Sequence, residues 1–147
     1  MKILVTGGAG YIGSHTCVEL ITSGYDVVIV DNLYNASKKA VLRIGEITGV
    51  NPTFYEADIL DYEKMTEIFA KEQPDTVIHF AGLKAVGESV RKPLEYYENN
   101  IAGTLTLVDV MRQNNCKNII FSSSATVYGD PAEIPITENC PKGQCTN

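Results

Sequence analysis

Short apolar runs rich in β-branched residues alternate along the chain with segments whose apolar positions repeat every three or four residues. The runs predict buried strands, and the segments predict helices with one apolar face. The predicted strands are residues 2–6, 27–30, 53–56, 76–80 and 118–122, and the predicted helices are residues 11–23, 37–48, 62–71 and 94–114. Because strands and helices alternate, we expect an α/β fold, a doubly wound parallel sheet with helices on both faces.

The ends of these elements carry local signals. Gly24 and Gly49 should terminate the first two helices, and Asp61 should cap the third. The fourth helix carries one apolar stripe, formed by Leu94, Tyr97, Ile101, Leu105, Val108 and Met111. After Gly129 several prolines interrupt the pattern. Since a complete doubly wound sheet often has about six strands, we expect this sheet to be incomplete at its C-terminal end.

Composition limits the classes of partner. The 147 residues are enough for one domain with a substantial core, and we assign residues 1–147 to that domain. The net charge of −6 argues against binding to nucleic acid or to an anionic membrane, since both require basic surfaces. The chain has no apolar run of membrane-spanning length and no signal-peptide core, so we expect a cytoplasmic protein.

Four cysteines lack Cys-x-x-Cys spacing. Cys17 and Cys116 lie in apolar segments and should be reduced core residues. Cys140 and Cys145 flank a short loop, where a local disulfide or a metal site is the alternative to two free thiols. In a chain of cytosolic character we expect neither, and we predict no metal.

The clearest chemical signal follows the first predicted strand. Gly8, Gly10 and Gly13 form a Gly-x-Gly-x-x-Gly motif that opens the first helix of a βαβ unit, with Gly7 directly before it. This spacing allows a tight turn and the close approach of a pyrophosphate, which the N–H groups and positive dipole of a helix N-terminus can bind. The alternative is a glycine-rich turn without a ligand, whereas a Walker-type loop is excluded because no Gly-Lys-Ser/Thr follows. We predict a dinucleotide site that includes Gly7, Gly10 and Gly13.

Two aspartates follow the next two strands. Asp31 ends the second strand, where a carboxylate accepts hydrogen bonds from the adenosine ribose hydroxyls and repels a 2′-phosphate. It therefore favours NAD over NADP, the alternative being an ordinary solvated aspartate. Asp58 follows the third strand and fits a contact with the adenine amino group and a helix cap equally well.

Five segments carry a family resemblance: GGAGYIGSH at 7–15, DNL at 31–33, FAGLKAVGES at 80–89, YYENN at 96–100 and SSSATVYG at 122–129. They span nearly the whole chain and resemble the extended short-chain dehydrogenase/reductase family, and within it the epimerases of UDP-sugars. The resemblance implies a Rossmann-type NAD-binding domain. It also implies cofactor contacts from Tyr11, Ile12, Asp31, Asn32, Leu33, Tyr34, Asn35, Ala36, Asp58, Ile59, Phe80, Ala81, Gly82, Leu83, Lys84 and Asn99.

The resemblance further implies the chemistry. The substrate would be a UDP-sugar, with UDP-glucose and UDP-galactose interconverted through a 4-keto intermediate by hydride transfer to and from bound NAD. Ser124 would be the catalytic and substrate-binding serine, with local capping as its alternative. Similar dehydratases usually carry an acidic residue after this serine, whereas Ala125 and Thr126 follow here, which favours the epimerases. Without the resemblance, Lys84 would be interpreted as a surface lysine and Asn99 as an interior polar residue.

The catalytic Tyr-x-x-x-Lys pair of that family does not occur in a suitable place. Only Tyr34 is followed by a lysine four residues later, Lys38, and this pair follows the second strand rather than lying near Ser124. His15 is expected to be a helix-face or packing residue, and His79 lies within an apolar strand, so neither is expected to replace the pair. We therefore expect a truncated NAD-binding N-terminal part that lacks the substrate-binding domain and is inactive alone.

Three further expectations complete this interpretation. The open sheet edge should make the chain poorly stable or prone to associate. By the resemblance, the full-length protein should be a homodimer in which the long helix takes part. The alternative functions are a nucleotide-sugar dehydratase or reductase of the same family, and a non-catalytic NAD-binding module.

Overall fold

The computed structural model describes residues 1–131 and 133–144. Its strands are β1 (Lys2–Thr6), β2 (Asp26–Asp31), β3 (Thr53–Glu56), β4 (Thr76–His79) and β5 (Asn118–Phe121). Its α-helices are α1 (Tyr11–Thr22), α2 (Lys38–Thr48), α3 (Tyr62–Glu72), α4 (Val86–Arg91), α5 (Pro93–Tyr97) and α6 (Gly103–Gln113). A π-helical turn (Glu98–Ala102) joins α5 to α6, and a 3₁₀ turn (Ala125–Tyr128) follows β5. All five predicted strands are confirmed.

The strands form a parallel sheet in the order β3-β2-β1-β4-β5. The strand order changes direction between β1 and β4, which is where ligands bind in open α/β sheets. Helices pack on both faces: one core cluster includes Phe69 of α3 and Leu107 of α6, and the other includes Cys17 of α1 and Ile44 of α2. The predicted doubly wound parallel fold is therefore confirmed.

The predicted helix ends are also confirmed. Gly24 and Gly49 have φ angles of +84° and +72°, directly after the last turns of α1 and α2. Glycine adopts this left-handed conformation without steric cost, so both helices end there. Asp61 caps α3, since its carboxylate accepts a hydrogen bond from Lys64 N at 3.0 Å.

The predicted long helix over residues 94–114 is present as a continuous helical segment, but its geometry is not uniform. The segment is divided into α5, the π-helical turn and α6, and α4 precedes it as an additional short helix. Lys92, with φ of −130° and ψ of 55°, interrupts the helical backbone between α4 and α5. Pro93 then starts α5, because the first helical position needs no N–H donor.

The apolar stripe predicted on this helix faces solvent along most of its length. Leu94, Tyr97, Ile101, Leu105 and Val108 are exposed, and only Met111 of the six is buried. The buried face of α6 consists of Gly103, Leu107, Val110 and Met111. A Cβ at Gly103 would lie 2.6 Å from Ile59 Cδ1, so the helix approaches the loop after β3 through its smallest residue. An apolar stripe in the sequence does not predict this contact, because glycine has no apolar side chain.

β5 forms one edge of the sheet, and all four of its residues are exposed. In contrast, β1 and β2 are buried over nearly their full length. Among the described residues, no helix combines the length and the apolar character needed to span a bilayer.

Candidate functional site

The turn between β1 and α1 depends on two glycines that have no room for a side chain. Gly7 has a φ of +70°, and a Cβ there would lie 2.7 Å from the backbone nitrogen of Ala81. A Cβ at Gly13 would lie 2.2 Å from the carbonyl oxygen of Gly7. Gly10 closes the turn by donating its N–H to the same oxygen at 3.1 Å. The backbone of the turn is therefore exposed to the space beside it without a side chain between them, as the close approach of a pyrophosphate requires.

Helix α1 presents an uncapped N-terminus to that space. Its N-cap residue is Gly10, no acidic side chain lies in its first turn, and no described side chain caps it. The first helical bond runs from Ser14 N to Gly10 O, so the N–H groups of residues 11–13 precede it. By contrast, Ser37 and Asp61 cap α2 and α3 with their side chains. The N-terminus of α1 is thus suited to an anionic ligand.

Asp31 is a buried carboxylate at the end of β2, with 7% of its surface exposed. Its Oδ2 accepts the N–H of Ala9 at 3.0 Å, and its Oδ1 accepts the N–H of Leu33 at 2.9 Å. The carboxylate therefore connects the glycine turn to the loop after β2, which excludes an ordinary solvated aspartate. Each oxygen retains a further lone pair that can accept a hydroxyl group of a ligand.

Asp58 connects two loops rather than capping a helix. Its Oδ2 accepts from Asn32 Nδ2 at 2.8 Å, and its Oδ1 accepts from Leu60 N at 2.9 Å. The cap of α3 is Asp61 instead. The loops after β2 and β3 are thereby held together at the carboxyl edge of the sheet.

A first cavity of about 540 Å³ lies at this edge, where β1, β2, β3 and β4 end. All predicted cofactor residues line it except Leu33 and Ala36. These two pack against the core cluster formed by α1 and α2. The first cavity therefore brings together the glycine turn, Asp31, Asp58 and the loop after β4.

A second cavity of about 390 Å³ adjoins the first, at the ends of β4 and β5. Lys84 lines both cavities, and Ser124 lines the second. The Lys84 ammonium donates to Ser122 O at 3.1 Å and contacts Ser122 Oγ at 3.3 Å. Lys84 is thus tied to the loop after β5 and places a positive charge where the cavities meet.

Ser124 caps the turn that follows β5, and it also lines the second cavity. Its Oγ accepts hydrogen bonds from Thr126 N at 3.3 Å and from Thr126 Oγ1 at 3.0 Å, so it caps the 3₁₀ turn. These bonds use the lone pairs of the hydroxyl and leave its proton available. The serine can therefore donate a hydrogen bond into the second cavity that it lines.

Asn99 lies in the π-helical turn and lines the first cavity. Its Nδ2 donates to Asn100 Oδ1 at 2.9 Å, and Asn100 bonds both backbone groups of Leu83. π-Helical turns are frequent at functional sites because they displace side chains from the regular helical positions. Here the turn directs two adjacent asparagines toward the loop after β4.

Tyr34 and Lys38, the one pair with catalytic spacing, have separate surroundings. Tyr34 lines the first cavity, whereas the Lys38 ammonium lies over the ring of Phe54, 5.7 Å from its centroid. The second cavity, with Ser124, includes neither of them. The structure therefore gives no support to this pair as a catalytic unit.

Comparison with known proteins agrees with this geometry. A sequence profile of the NAD dependent epimerase/dehydratase family matches residues 3–147. The chain belongs to this family. Its fold and glycine turn are thus those of an NAD-dependent enzyme family, as the sequence predicted.

Named family members resemble the chain closely. It is 60% identical over 147 residues to a UDP-glucose 4-epimerase of Haemophilus influenzae, covering 100% of this chain and 44% of that protein. It is 61% identical over 143 residues to the Bacillus subtilis UDP-glucose 4-epimerase, covering 97% and 42%. A crystal structure of the Bifidobacterium longum UDP-glucose 4-epimerase with NAD+ and UDP is 56% identical, with a TM-score of 0.93 over 97% of this chain and 43% of that one. The chain thus spans less than half the length of these family members.

Several residues of this chain that line the two cavities were not predicted from its sequence. Lys92 and Glu95 line the first cavity because the break before Pro93 turns α5 toward it. Thr104 and His79 line the second cavity and are bonded to each other at 3.1 Å, although they are 25 residues apart. Neither the break nor this pairing leaves a periodic signal in the sequence.

The cysteines that the structure describes are buried free thiols. Cys17 and Cys116 are buried free thiols, as predicted, and burial raises the pKa of Cys17 to about 12. Cys140 is also free and buried, and its predicted alternative partner, Cys145, lies outside the described residues. Within residues 1–131 and 133–144, no cluster of three His, Cys, Asp or Glu side chains has the geometry to hold a metal ion.

Proposed function

We propose that this chain is the NAD-binding N-terminal part of a cytoplasmic UDP-glucose 4-epimerase, which interconverts UDP-glucose and UDP-galactose. The observation that carries the proposal is the 60% identity to an epimerase across all 147 residues, combined with an intact dinucleotide cradle. The absence of a carboxylate at Ala125 and Thr126 favours epimerisation over dehydration.

The first cavity fits NAD by the chemistry of its walls. The turn at Gly7 and Gly13 leaves space for a pyrophosphate, and the N–H groups of residues 11–13 would bind its oxygens. Asp31 would accept the adenosine ribose hydroxyls with its remaining lone pairs. Because this buried carboxylate would repel a 2′-phosphate, NAD should be preferred over NADP.

The second cavity would hold the sugar. Bound NAD supplies the acceptor and donor of the hydride at the sugar C4. Ser124 would donate its hydroxyl proton in a hydrogen bond to a sugar oxygen, and the Thr126 contacts would fix its direction. Lys84 would supply positive charge between cofactor and sugar. Since no suitable Tyr-x-x-x-Lys pair is present, residues 1–147 alone should not epimerise UDP-sugars.

For the full-length protein we propose a homodimer. The exposed stripe on α5, the π-helical turn and α6, with Tyr97, Ile101 and Leu105 at its centre, offers the apolar surface that such an interface needs. Sedimentation of a full-length chain should give twice the protomer mass, and replacing Leu105 with Glu should shift it toward the monomer. A monomer without the substitution would contradict this part of the proposal.

One titration with one assay tests the proposed function. NAD is titrated into the chain in a calorimeter, and UDP-glucose is then added with NAD and the products are separated. We expect NAD binding without any UDP-galactose, and UDP-galactose formation only by a full-length chain. An absence of NAD binding would contradict the NAD-binding proposal. A dehydrated or reduced sugar made by the full-length chain would support the dehydratase or reductase alternative, and no product at all would support a non-catalytic module.

A further inference from the structure

A line of hydrogen bonds crosses the buried end of the sheet through His79, which is 3% exposed. The imidazole Nδ1 lies 2.6 Å from Thr6 Oγ1 on β1, and Nε2 lies 3.1 Å from Thr104 Oγ1 on α6. Thr6 Oγ1 also accepts the N–H of Ala81 at 3.5 Å, the long contact of the line. The imidazole therefore links the sheet to the helix beside the second cavity, which His79 and Thr104 line.

The direction of these bonds follows from counting protons. Thr104 Oγ1 is 2.6 Å from the carbonyl oxygen of Asn100, which can only accept, so the single hydroxyl proton of Thr104 points there. Thr104 Oγ1 must then accept from His79, which places a proton on Nε2. With Nε2 protonated, a neutral imidazole accepts at Nδ1 from the Thr6 hydroxyl.

The line ends at the loop that borders both cavities. Asn100, whose backbone receives the Thr104 proton, uses its side chain to bond Leu83 N at 2.8 Å and Leu83 O at 2.9 Å. At the other end, Ala81 donates to Thr6. The loop of residues 81–84 is therefore held by hydrogen bonds to Thr6 on the sheet and to Asn100 in the π-helical turn. His79 connects these two supports.

We propose that His79 is a positioning residue, held as the neutral Nε2–H tautomer between Thr6 and Thr104, that fixes residues 81–84 for NAD. The proposal rests on the proposed function, since it assumes that this loop contacts NAD. An imidazolium cannot accept the Thr6 proton, so protonation would reverse that bond and force the Thr6 hydroxyl to reorient. A changed tautomer would likewise leave Thr104 Oγ1 without its donor.

The electrostatic surroundings agree with a neutral imidazole. Burial and, to a smaller extent, the positive charge of Lys84 together lower the pKa of His79 to about 4. Lys84 stands on the loop that the imidazole helps to hold. A neutral His79 thus avoids a second positive charge next to the lysine at the junction of the cavities.

Nitrogen NMR of the chain, with and without NAD, tests the tautomer directly. The chain has two histidines, and His15 is a built-in reference because its Nδ1 donates to the carbonyl oxygen of Tyr11 at 2.8 Å. We expect the Nε2–H signature for His79 and a proton on Nδ1 for His15. An Nδ1–H or doubly protonated His79 at neutral pH would overturn the proposal.

Thr104→Val and Thr104→Ser test the positioning role as a matched pair. Valine removes the acceptor of His79 Nε2–H at nearly constant shape, whereas serine keeps the hydroxyl. We expect Thr104→Val to mix the His79 tautomers and to raise the Kd for NAD about fivefold, the equivalent of one lost hydrogen bond. Thr104→Ser should retain the tautomer and bind NAD within about twofold of the unaltered chain.

The outcomes separate this proposal from the proposed function. If the unaltered chain binds NAD and Thr104→Val binds it equally well, the positioning role is overturned and the proposed function remains. If the unaltered chain binds no NAD, both are overturned. If Thr104→Val does not fold, Thr104→Ser and the tautomer of the unaltered chain still decide, because loss of the Nε2–H signature in either contradicts the proposal.

Discussion

One row of apolar side chains runs from β2 to β5 on a single face of the sheet, and its members have different surroundings. Val5 pairs in register with Ile29 on β2 and with Ile78 on β4, and Ile78 pairs with Ile120 on β5. The exposed fractions are 0% for Ile29 and Val5, 7% for Ile78 and 57% for Ile120. Residue type, face and register are shared, so the difference comes from what packs against each strand.

The same gradient divides the candidate site. The glycine turn follows β1, and Asp31 ends β2. The two core clusters cover both faces of these strands. Ser124 follows β5, whose four residues are exposed. The half of the site proposed for NAD is thus held by tight packing on both sides, whereas the half proposed for the sugar follows an exposed edge strand that pairs with β4 and is joined to Lys84.

Replacing isoleucine at a buried and at an exposed position of the row tests this gradient most strongly. Ile29→Ala should lower the free energy of unfolding by about 4 kcal/mol, because it leaves a cavity in a closed core. Ile120→Ala should lower it by about 1 kcal/mol or less, because little apolar surface is withdrawn from water there. Urea unfolding of both variants measures the difference. Equal losses would show that β5 is as tightly packed as β2, and Ile29→Val, at about 1 kcal/mol, is the milder substitute if Ile29→Ala does not fold.

Glycine substitutions compare the two halves in a second way. Gly13→Ala should cost about 3 kcal/mol and abolish NAD binding, because its Cβ would lie 2.2 Å from Gly7 O. Gly87→Ala in α4 has no atom within 4 Å of the new Cβ and should stabilise the chain by roughly 0.5 kcal/mol. Thermal unfolding measures both. A Gly13→Ala chain that melts and binds NAD like the unaltered one would contradict the close contact at the turn.

What could be predicted from the sequence follows the same division. The strands, Gly24, Asp61 and the glycine turn were found because each depends on chemistry within a few residues. The π-helical turn and the exposed stripe were not found, because they depend on how the helix meets the loop after β3. At Gly103 that contact is with Ile59, 44 residues away in the chain (103 − 59).

The candidate site shows this difference within single residues. Asp31 was predicted as a cofactor residue from its place at a strand end, and the structure joins its carboxylate to the glycine turn through Ala9. The sequence placed His79 only within an apolar strand, and its hydrogen-bond partners Thr6 and Thr104 lie 73 and 25 residues away. An apolar strand pattern conceals such a residue, since its polar contacts come from other elements.

His79 lies where the half proposed for NAD meets the half proposed for the sugar, and the pH dependence of stability tests its surroundings. Its pKa is about 4 when folded, lowered from 6.5 by burial and by Lys84. Between these values the unfolded chain binds a proton that the folded chain does not, so the free energy of unfolding falls as the pH falls. This group should account for about 2 kcal/mol of loss between pH 7 and about pH 5.

Chemical unfolding at the two pH values measures that loss. His79→Gln should lack this part of it, while His15→Gln, which changes an exposed histidine, should keep it. Because carboxylates titrate in all three chains, their contribution cancels in the comparison. An unchanged pH dependence in His79→Gln would contradict a buried neutral imidazole.

Asp31→Asn gives the smallest expected change and the most specific one. The amide has one acceptor oxygen for the two N–H groups of Ala9 and Leu33 and no charge, so the Kd for NAD should rise about tenfold, equivalent to about 1.4 kcal/mol. The Kd for NADP should not rise with it, because repulsion of the 2′-phosphate is lost. Asp26→Asn, at the exposed amino end of the same strand and 3.6 Å from the Lys2 ammonium, should leave the ratio of the two constants unchanged. A ratio that is the same in Asp31→Asn as in the unaltered chain would mean that the buried end of β2 does not select the cofactor.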